Sequence, residues 1–238
     1  MPQTNITARI ELDKDFAAKF HKDILKEINI KLTQVLPMAV KNIRTKLGEA
    51  VRFRIMGSPE YAAITGGGFR GELGLPDGEA RINAIIERWV ESISVKYVKG
   101  KGSSLGSINI GILESDWIDV LAMGEATLTY MSKKGAKSLE WLRWLLKEGG
   151  AVIVSRYDFV PQAKGSRTGL GIMVKGGKGW RVPAQFAGTE KDNFVTKSLA
   201  GIAQDIDTIV RREVTKVLKG HVNLIQNLIR FLRLGKVY

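Results

Sequence analysis

The hydrophobic positions in the N-terminal part of the chain follow two periods in succession. Residues Asn5–Asp13 alternate polar and apolar side chains, which predicts a half-buried strand. From Phe16 to Ile55 apolar residues recur at helical spacing, which predicts one helix of about forty residues. Pro37 lies inside this helical pattern and removes a backbone hydrogen bond, so we expect a kink near Val35 within a single helix.

Short helices and strands are predicted to alternate along the rest of the chain. The predicted strands are Ser94–Lys99, Ser107–Leu113, Ala151–Val160 and Gly169–Val174. The predicted helices are Asp77–Ile93, Ser138–Lys147 with Ser138 as its N-cap, a long helix capped by Thr189 or Asp192 and ending at Gly220, and His221–Leu234. The segment Trp117–Ala122 is apolar, and its pattern is compatible with a helix or with a strand.

This order predicts an α+β fold in which a small, mainly antiparallel sheet packs against long N-terminal and C-terminal helices. We expect a single α+β domain over residues 1–238. Residues 58–93 would add an elbow and a helix to it, and residues 219–238 would form a C-terminal helical extension.

The segment Ser58–Asp77 is the proposed elbow. Its characteristic residues are an aromatic pair, three consecutive glycines and an arginine, namely Tyr61, Phe69, Gly66, Gly67, Gly68 and Arg70. Glycine gives the backbone access to positive φ, and Pro76 fixes φ and ends regular structure, which predicts a shaped turn and not a continuous helix. One interpretation is a buried turn between helices. A phosphate-binding loop would need a preceding strand and a following Gly-Lys-Ser/Thr, whereas here a helix precedes and that motif is absent.

Composition narrows the class of protein. The chain has 238 residues, 44% of them hydrophobic and 26% charged, which is typical of a globular protein. It contains no cysteine, which excludes a disulfide framework, a thiolate metal site and a cysteine nucleophile, and is consistent with a reducing cytoplasm. The sequence has neither a signal-peptide pattern nor an apolar run long enough to span a membrane, so we expect no membrane association.

The formal net charge of +13 points to an anionic partner. The glycine-rich stretch Lys164–Arg181 carries the candidate contacts, which are Lys164, Arg167, Lys175, Lys178 and Arg181. Lysine and arginine neutralise phosphates without reading sequence, so DNA is one possible partner. An acidic protein surface is another, and a solvated basic loop is the third interpretation. Trp180 alone is too little for a single-strand stacking platform.

The residues that usually carry catalysis are sparse. The two histidines, His21 and His221, lie in helical patterns without a second ligand at metal-binding spacing. The pattern G-x-S-x-G occurs at Gly102–Gly106, but in a loop between two predicted strands and not at the strand-to-helix turn that a serine nucleophile needs. The acid pairs Glu114/Asp116 and Asp205/Asp207 lack an apolar neighbourhood that would separate their pKa values. We therefore expect no catalytic residue, no metal and no cofactor, and not an enzyme.

Two segments resemble phage proteins. Pro59-Glu60-Tyr61, followed by Gly-Gly-x-Phe-Arg-Gly-Glu-Leu-Gly-Leu, is similar to the elbow of neck (head-completion) proteins from contractile-tailed bacteriophages. The segment Trp180-Arg-Val-Pro-Ala-Gln-Phe-Ala-Gly-Thr-Glu-Lys-Asp-Asn-Phe194, with the helix after it, resembles the end of siphovirus-type tail-completion proteins.

The resemblance implies a non-enzymatic virion protein that forms a homo-oligomeric ring between the portal side of the DNA-filled head and the tail. Its partners would be copies of itself, portal or adaptor and other neck proteins, the tail terminator and, without sequence specificity, genomic DNA. It would reside in the host cytoplasm during assembly. A tail terminator or tail-tube ring protein is the alternative, and a sequence-independent nucleic-acid-binding protein is the alternative of another class.

The resemblance also implies roles for particular residues. Tyr61, Phe69 and Arg70 would form an intersubunit or elbow contact. The aromatic residues Trp180, Phe186 and Phe194 would fix the following loop against the sheet. The five basic residues of Lys164–Arg181 would face DNA or an acidic partner. Since a DNA conduit must let DNA slide, acidic proteins are the favoured partners for much of this charge.

Overall fold

The computed structural model describes residues 14–101, 106–112, 117–132, 135–162, 164–166 and 169–220. Helices in these residues are α1 (Lys14–Met56), α2 (Pro59–Thr65), α3 (Gly68–Glu72), α4 (Gly78–Glu91), α5 (Ile118–Leu121), α6 (Trp141–Leu146), α7 (Phe194–Ser198) and α8 (Ile202–Gly220). Strands are β1 (Ser94–Val98), β2 (Ser107–Gly111), β3 (Leu128–Ser132), β4 (Gly135–Leu139), β5 (Val152–Val154), β6 (Tyr157–Pro161), β7 (Gly171–Lys175) and β8 (Trp180–Arg181).

The α+β class predicted from the sequence is confirmed. The strands described by the structure are divided among two-stranded sheets, which pair β1 with β2, β3 with β4, β5 with β8 and β6 with β7. The β3–β4, β5–β8 and β6–β7 pairs are antiparallel. A two-stranded sheet has little stability of its own, so each of these sheets depends on what it packs against.

The backbone contacts divide the chain into two compact units, and the single-domain expectation stays a prediction. The first unit contains α1 up to Ile43, residues Val95–Ile110 and α8 from Arg211. The second contains Arg44–Ser94 and Gly111–Val210.

The first unit includes a polar contact between its two helical segments. Asn42 Nδ2 donates to Glu213 Oε2 over 3.4 Å, and Arg212 Nε donates to Glu213 Oε1 over 3.1 Å. Glu213 is buried, and these donors partly compensate for the desolvation of its carboxylate. Leu36 and Ala39 on α1 are buried as well.

The second unit contains the larger apolar core. Most of its fully buried side chains come from helices at helical spacing, and these include Leu47, Val51, Ile55, Ile82, Ile85, Ile86, Trp141, Leu142, Leu145, Leu146, Phe194 and Val195. The helices α1 and α4 approach closely, since a Cβ at Gly48 would lie 2.8 Å from Val90 Cγ1. Trp89 on α4 contacts two other aromatic rings edge-on, those of Trp117 at 5.9 Å and Phe194 at 6.0 Å between centroids.

Most predicted helices and strands are found, with shifted ends. The helix α1 runs for 43 residues and continues through Pro37. The helix after the elbow and the strands on either side of residue 100 are present as α4, β1 and β2. The predicted strand Asn5–Asp13 and the predicted helix His221–Leu234, with all but the first residues of the C-terminal extension, lie outside the described residues.

Three local predictions are wrong. Ser138 is not a helix cap, because it pairs with Thr129 in the β3–β4 hairpin, and α6 begins at Trp141. The predicted strand Ala151–Val160 is two strands, β5 and β6, separated by a turn in which Arg156 has a left-handed φ of 62°. Neither Thr189 nor Asp192 caps the closing helix. Asn193 caps α7, and the chain then turns at Gly201, whose φ is +76°, before α8.

Asn193 connects α6, the loop before α7 and α7 itself. Its Oδ1 accepts from the backbone N–H groups of Val195 and Thr196, each at 3.1 Å. Its Nδ2 donates to the carbonyl oxygens of Thr189 at 3.0 Å and Leu146 at 3.4 Å. The side chain is fully buried, so water cannot replace these partners.

We expect Asn193→Ala to lower the free energy of unfolding by about 2–3 kcal/mol, because it removes a helix cap and leaves buried backbone groups without partners. Urea unfolding followed by circular dichroism measures this change. Thr208→Ala is the control, since Thr208 Oγ1 is exposed and donates to a carbonyl of its own helix. Equal losses in the two variants would contradict the role given to Asn193.

Candidate functional site

The elbow is built by a capped helix and a very close helix approach. Ser58 is the N-cap of α2, and its Oγ accepts from the backbone N–H of Tyr61 over 3.1 Å. Pro59 occupies the first turn, where its missing N–H costs nothing. A Cβ at Gly78, the first residue of α4, would lie 2.5 Å from the carbonyl oxygen of Ile64 on α2. Glycine at this position therefore allows α4 to begin directly against α2.

Arg70 closes the elbow through three backbone carbonyl groups. Its Nε donates to Leu75 O at 2.9 Å, its Nη1 donates to Thr65 O at 3.3 Å, and its Nη2 donates to Pro76 O. These oxygens lie before and after α3, so one planar guanidinium connects both sides of the turn. Charge-assisted hydrogen bonds of this kind are stronger than neutral ones.

The other two predicted elbow residues also have partners inside the chain. Tyr61 Oη donates to Asn83 Oδ1 on α4 over 3.0 Å. Phe69 is buried and stacks on Phe186, with 4.8 Å between ring centroids and 26° between planes. Tyr61, Phe69 and Arg70 were expected to contact either another subunit or the elbow itself, and the contacts described here lie within the chain, at the elbow. Their participation in a subunit contact stays a prediction.

The aromatic residues of the later segment attach it to α3 and the helical core. Trp180 Nε1 donates to Glu72 Oε2 of α3 over 2.9 Å. Its ring meets Trp144 edge-on at 6.4 Å. Phe186 contacts Phe69 of α3, and Phe194 packs on Trp89 in the core. The loop between β8 and α7 is thus held at both ends and in the middle by aromatic contacts, mainly to helices.

The predicted basic residues are solvent-facing where they can be described. Lys164, Lys175, Lys178 and Arg181 are exposed, and Arg167 lies outside the described residues. Lys175 ends β7, Arg181 belongs to β8, and Lys178 lies between these strands. Within residues 14–220 as described, none of the four has an ion-pair partner. Their charge is therefore available to an anionic partner.

A groove beside the elbow was not anticipated from the sequence. Its volume is about 700 Å³, and it lies between α3 with its following loop, the β3–β4 hairpin and the β6–β7 hairpin. Apolar and aromatic side chains dominate its walls, including Leu73, Leu128, Tyr130, Leu139, Val154, Tyr157, Phe159, Ile172 and Met173. The period-two pattern of the hairpins was the available signal, but sequence alone does not place two hairpins face to face.

Most ion pairs of the described residues lie at the surface, whereas the Arg212–Glu213 pair includes a buried carboxylate. Glu87 accepts two hydrogen bonds from Arg52, and these hold the pKa of its carboxyl below the usual range. Arg81 lowers the pKa of Asp77 in the same way, through a hydrogen bond of 2.7 Å from its Nε. Arg54 Nε donates to Asp205, one of the paired acids noted in the sequence, over 2.8 Å. These pairs join helices and loops to one another.

The described residues show no cluster of three or more histidine, cysteine or acidic side chains arranged to hold a metal ion. No described helix is both long and apolar enough to cross a bilayer. Comparison with protein-family models, with curated proteins and with solved structures found no match.

We expect Arg70→Lys to destabilise the protein by about 1–2 kcal/mol, because an ammonium cannot hold three carbonyl groups in the geometry of the guanidinium. Hydrogen exchange of backbone amides in residues 65–77 should accelerate as well. The control is Arg88→Lys, since Arg88 makes only exposed ion pairs longer than 3.5 Å with Glu91 and Asp119. Equal losses of stability and equal exchange rates in the two variants would contradict the role of Arg70 in holding the elbow.

We expect the stabilisation by Asp77 to depend on pH. Because Arg81 depresses the pKa of the folded carboxyl, this stabilisation is present above the ordinary carboxyl pKa and is lost as pH falls through the folded value. Asp77→Asn should therefore cost under about 1 kcal/mol at pH 7, since Asp77 is half exposed and screened by solvent, and less at about pH 3, below the ordinary carboxyl pKa. Urea unfolding at both values measures the difference, with exposed Asp158→Asn as the control. A cost independent of pH would contradict the assignment.

Proposed function

We propose that the chain is a non-enzymatic structural protein of the neck of a contractile-tailed phage. Copies of the chain would form a ring that joins the DNA-filled head, on its portal side, to the tail. The proposal rests on the two sequence resemblances, at the elbow and at Trp180–Phe194, and on the surface that the fold presents.

The observation that carries the assembly role is an apolar patch on α1. Phe53 is 81% exposed, and Met56, one turn further along the same helix face, is 39% exposed. Two neighbouring large apolar side chains exposed on a long helix are a candidate surface for another protein to cover. Met131 on β3 and Ile118 on α5 add further exposed apolar side chains to the second unit.

The elbow and the aromatic loop support the same role in another way. Their hydrogen-bonding groups and rings have partners within the chain, as described for Arg70, Tyr61 and Trp180. A segment held in this manner has a fixed shape before it meets a neighbour. Preorganised surfaces lose less entropy when subunits associate, which suits a protein that assembles into a ring.

The charge distribution favours different proteins as the partners of the basic surface. Each copy carries a net charge of +13, so contact with further copies cannot neutralise the basic surface. A channel that gripped DNA strongly would oppose its passage. Acidic surfaces of portal, adaptor or terminator proteins are the partners that meet both conditions.

The neck role predicts a defined assembly defect. In lysates of a phage lacking this gene, electron microscopy should show DNA-filled heads beside finished, unattached tails. Supplying the wild-type gene should restore infectious particles. Phe53→Glu should restore them much less well, because a buried unpaired carboxylate disfavours the covered patch by several kcal/mol. Gln34→Glu, which puts the same charge on another exposed position of α1, is the control.

Other outcomes of this experiment reassign the protein. Tails of uncontrolled length, or an absence of tails, would indicate a terminator or tail-tube ring protein. Intact infectious particles would contradict a virion role. Phe53→Glu protein that is folded and fully active would contradict the α1 patch as a subunit contact.

A second candidate function, sequence-independent nucleic-acid binding, is favoured by the exposed cations Lys164, Lys175, Lys178 and Arg181. It requires affinity for DNA that falls steeply as salt rises, because bound phosphates release counterions. Replacing all four residues by glutamine should then reduce the salt dependence of binding. Binding without this loss would exclude the basic stretch as the contact.

A further inference from the structure

The groove beside the elbow has two walls of the same construction. In the β3–β4 hairpin, the cross-strand pairs Leu128–Leu139 and Tyr130–Lys137 share one face. In the β6–β7 hairpin, the pairs Phe159–Met173 and Tyr157–Lys175 share one face. Except for the two lysines, these side chains line the groove. Each wall is thus apolar along the groove, with a lysine on the same face.

The groove has one carboxylate in its lining and two lysines beside it. Among the described residues that line it, Glu72 alone carries a charge, and its carboxylate already accepts from Trp180 Nε1 at 2.9 Å. Lys137 and Lys175, which continue the groove-lining faces, are exposed, and the structure gives neither an ion-pair partner in the residues it describes. The groove therefore combines apolar walls with free positive charge beside them.

We propose that this groove binds an extended segment of a different protein, in which apolar side chains alternate with or are flanked by carboxylates. The apolar side chains would enter the space lined by Tyr130, Phe159 and Met173, and the carboxylates would pair with Lys137 and Lys175. The inference rests on the proposed assembly function and specifies the chemistry of one partner.

Charge and geometry select this occupant. A second copy of the chain is disfavoured because it brings +13 to a groove with lysines beside it. Duplex nucleic acid would use the lysines but not the apolar walls. An extended segment fits because, in a two-stranded hairpin, each strand has one edge outside the hairpin's own ladder. Such an edge can accept an added strand, with alternate side chains entering pockets.

Fluorescence anisotropy with purified full-length protein tests the proposal. The probe is a labelled peptide of about eight residues that alternates leucine and glutamate, a length typical of a strand. Two matched peptides replace glutamate by lysine or leucine by serine. We expect the leucine–glutamate peptide to bind at least about tenfold more tightly than either control peptide, since each control lacks one of the two complementary features.

Variants of the chain locate the binding site. Met173→Glu should weaken binding of the leucine–glutamate peptide about tenfold or more by placing a like charge on the groove wall. Val174→Glu, on the opposite face of the same strand and exposed, should leave it unchanged. The double variant Lys137→Glu/Lys175→Glu should also lose binding. Lys22→Glu/Lys26→Glu makes the same change of net charge on α1 and is the control.

The opposite results overturn the proposal. These are absence of binding by the leucine–glutamate peptide, equal binding of the three peptides, or equal effects of Met173→Glu and Val174→Glu. Displacement of the peptide by single-stranded DNA at concentrations where it does not aggregate the protein would assign the groove to nucleic acid. Self-association that Met173→Glu abolishes would assign it to a second copy.

The neck role and the groove can fail independently. Intact particles from the phage lacking this gene, together with selective peptide binding, would refute the neck role and leave the groove as a site for an acidic segment. The neck defect without selective binding would refute the groove alone.

Discussion

The guanidinium of Arg70 fixes the geometry on which much of the second unit depends. By donating to carbonyl groups on both sides of α3, it sets the direction in which α4 leaves the elbow. The position of α3 in turn places Phe69 against Phe186 and Glu72 against Trp180. The same helix forms one side of the groove. Backbone carbonyl groups of an irregular turn need hydrogen-bond donors, and Arg70 supplies them. By holding α3 in place, Arg70 also positions the contacts of Phe69 and Glu72 with the segment Trp180–Phe186.

What could be predicted from the sequence was the part determined by local periodicity. The stripe of α1 and the amphipathic pattern of α4 are properties of consecutive residues, and both helices were found. The elbow was recognised because glycine widens, and proline narrows, the backbone conformations available locally. The α+β class followed from the order of these elements.

The misses have a common physical origin in competition between local and longer-range contacts. Ser138 has the chemistry of a helix cap, but pairing with Thr129 across the hairpin determines its conformation. The turn at Arg156 contains no proline or glycine, and Gly176 N donates to the carbonyl of Arg156 at the open end of the β6–β7 hairpin. Asn193 exceeds Thr189 and Asp192 as a cap because it also reaches Leu146, a residue far away in sequence. The groove is the largest miss, since its walls meet only in three dimensions.

The construction of the groove from separate hairpins has an evolutionary consequence. Tyr130 and Met173 lie on small two-stranded sheets, whereas the fully buried side chains of the core come largely from helices. Substitutions on the hairpins therefore alter the lining of the groove at little cost to the folding of the core. A lineage can in this way exchange one binding partner for another, through neutral drift on the hairpins, while the helical scaffold remains under unchanged selection.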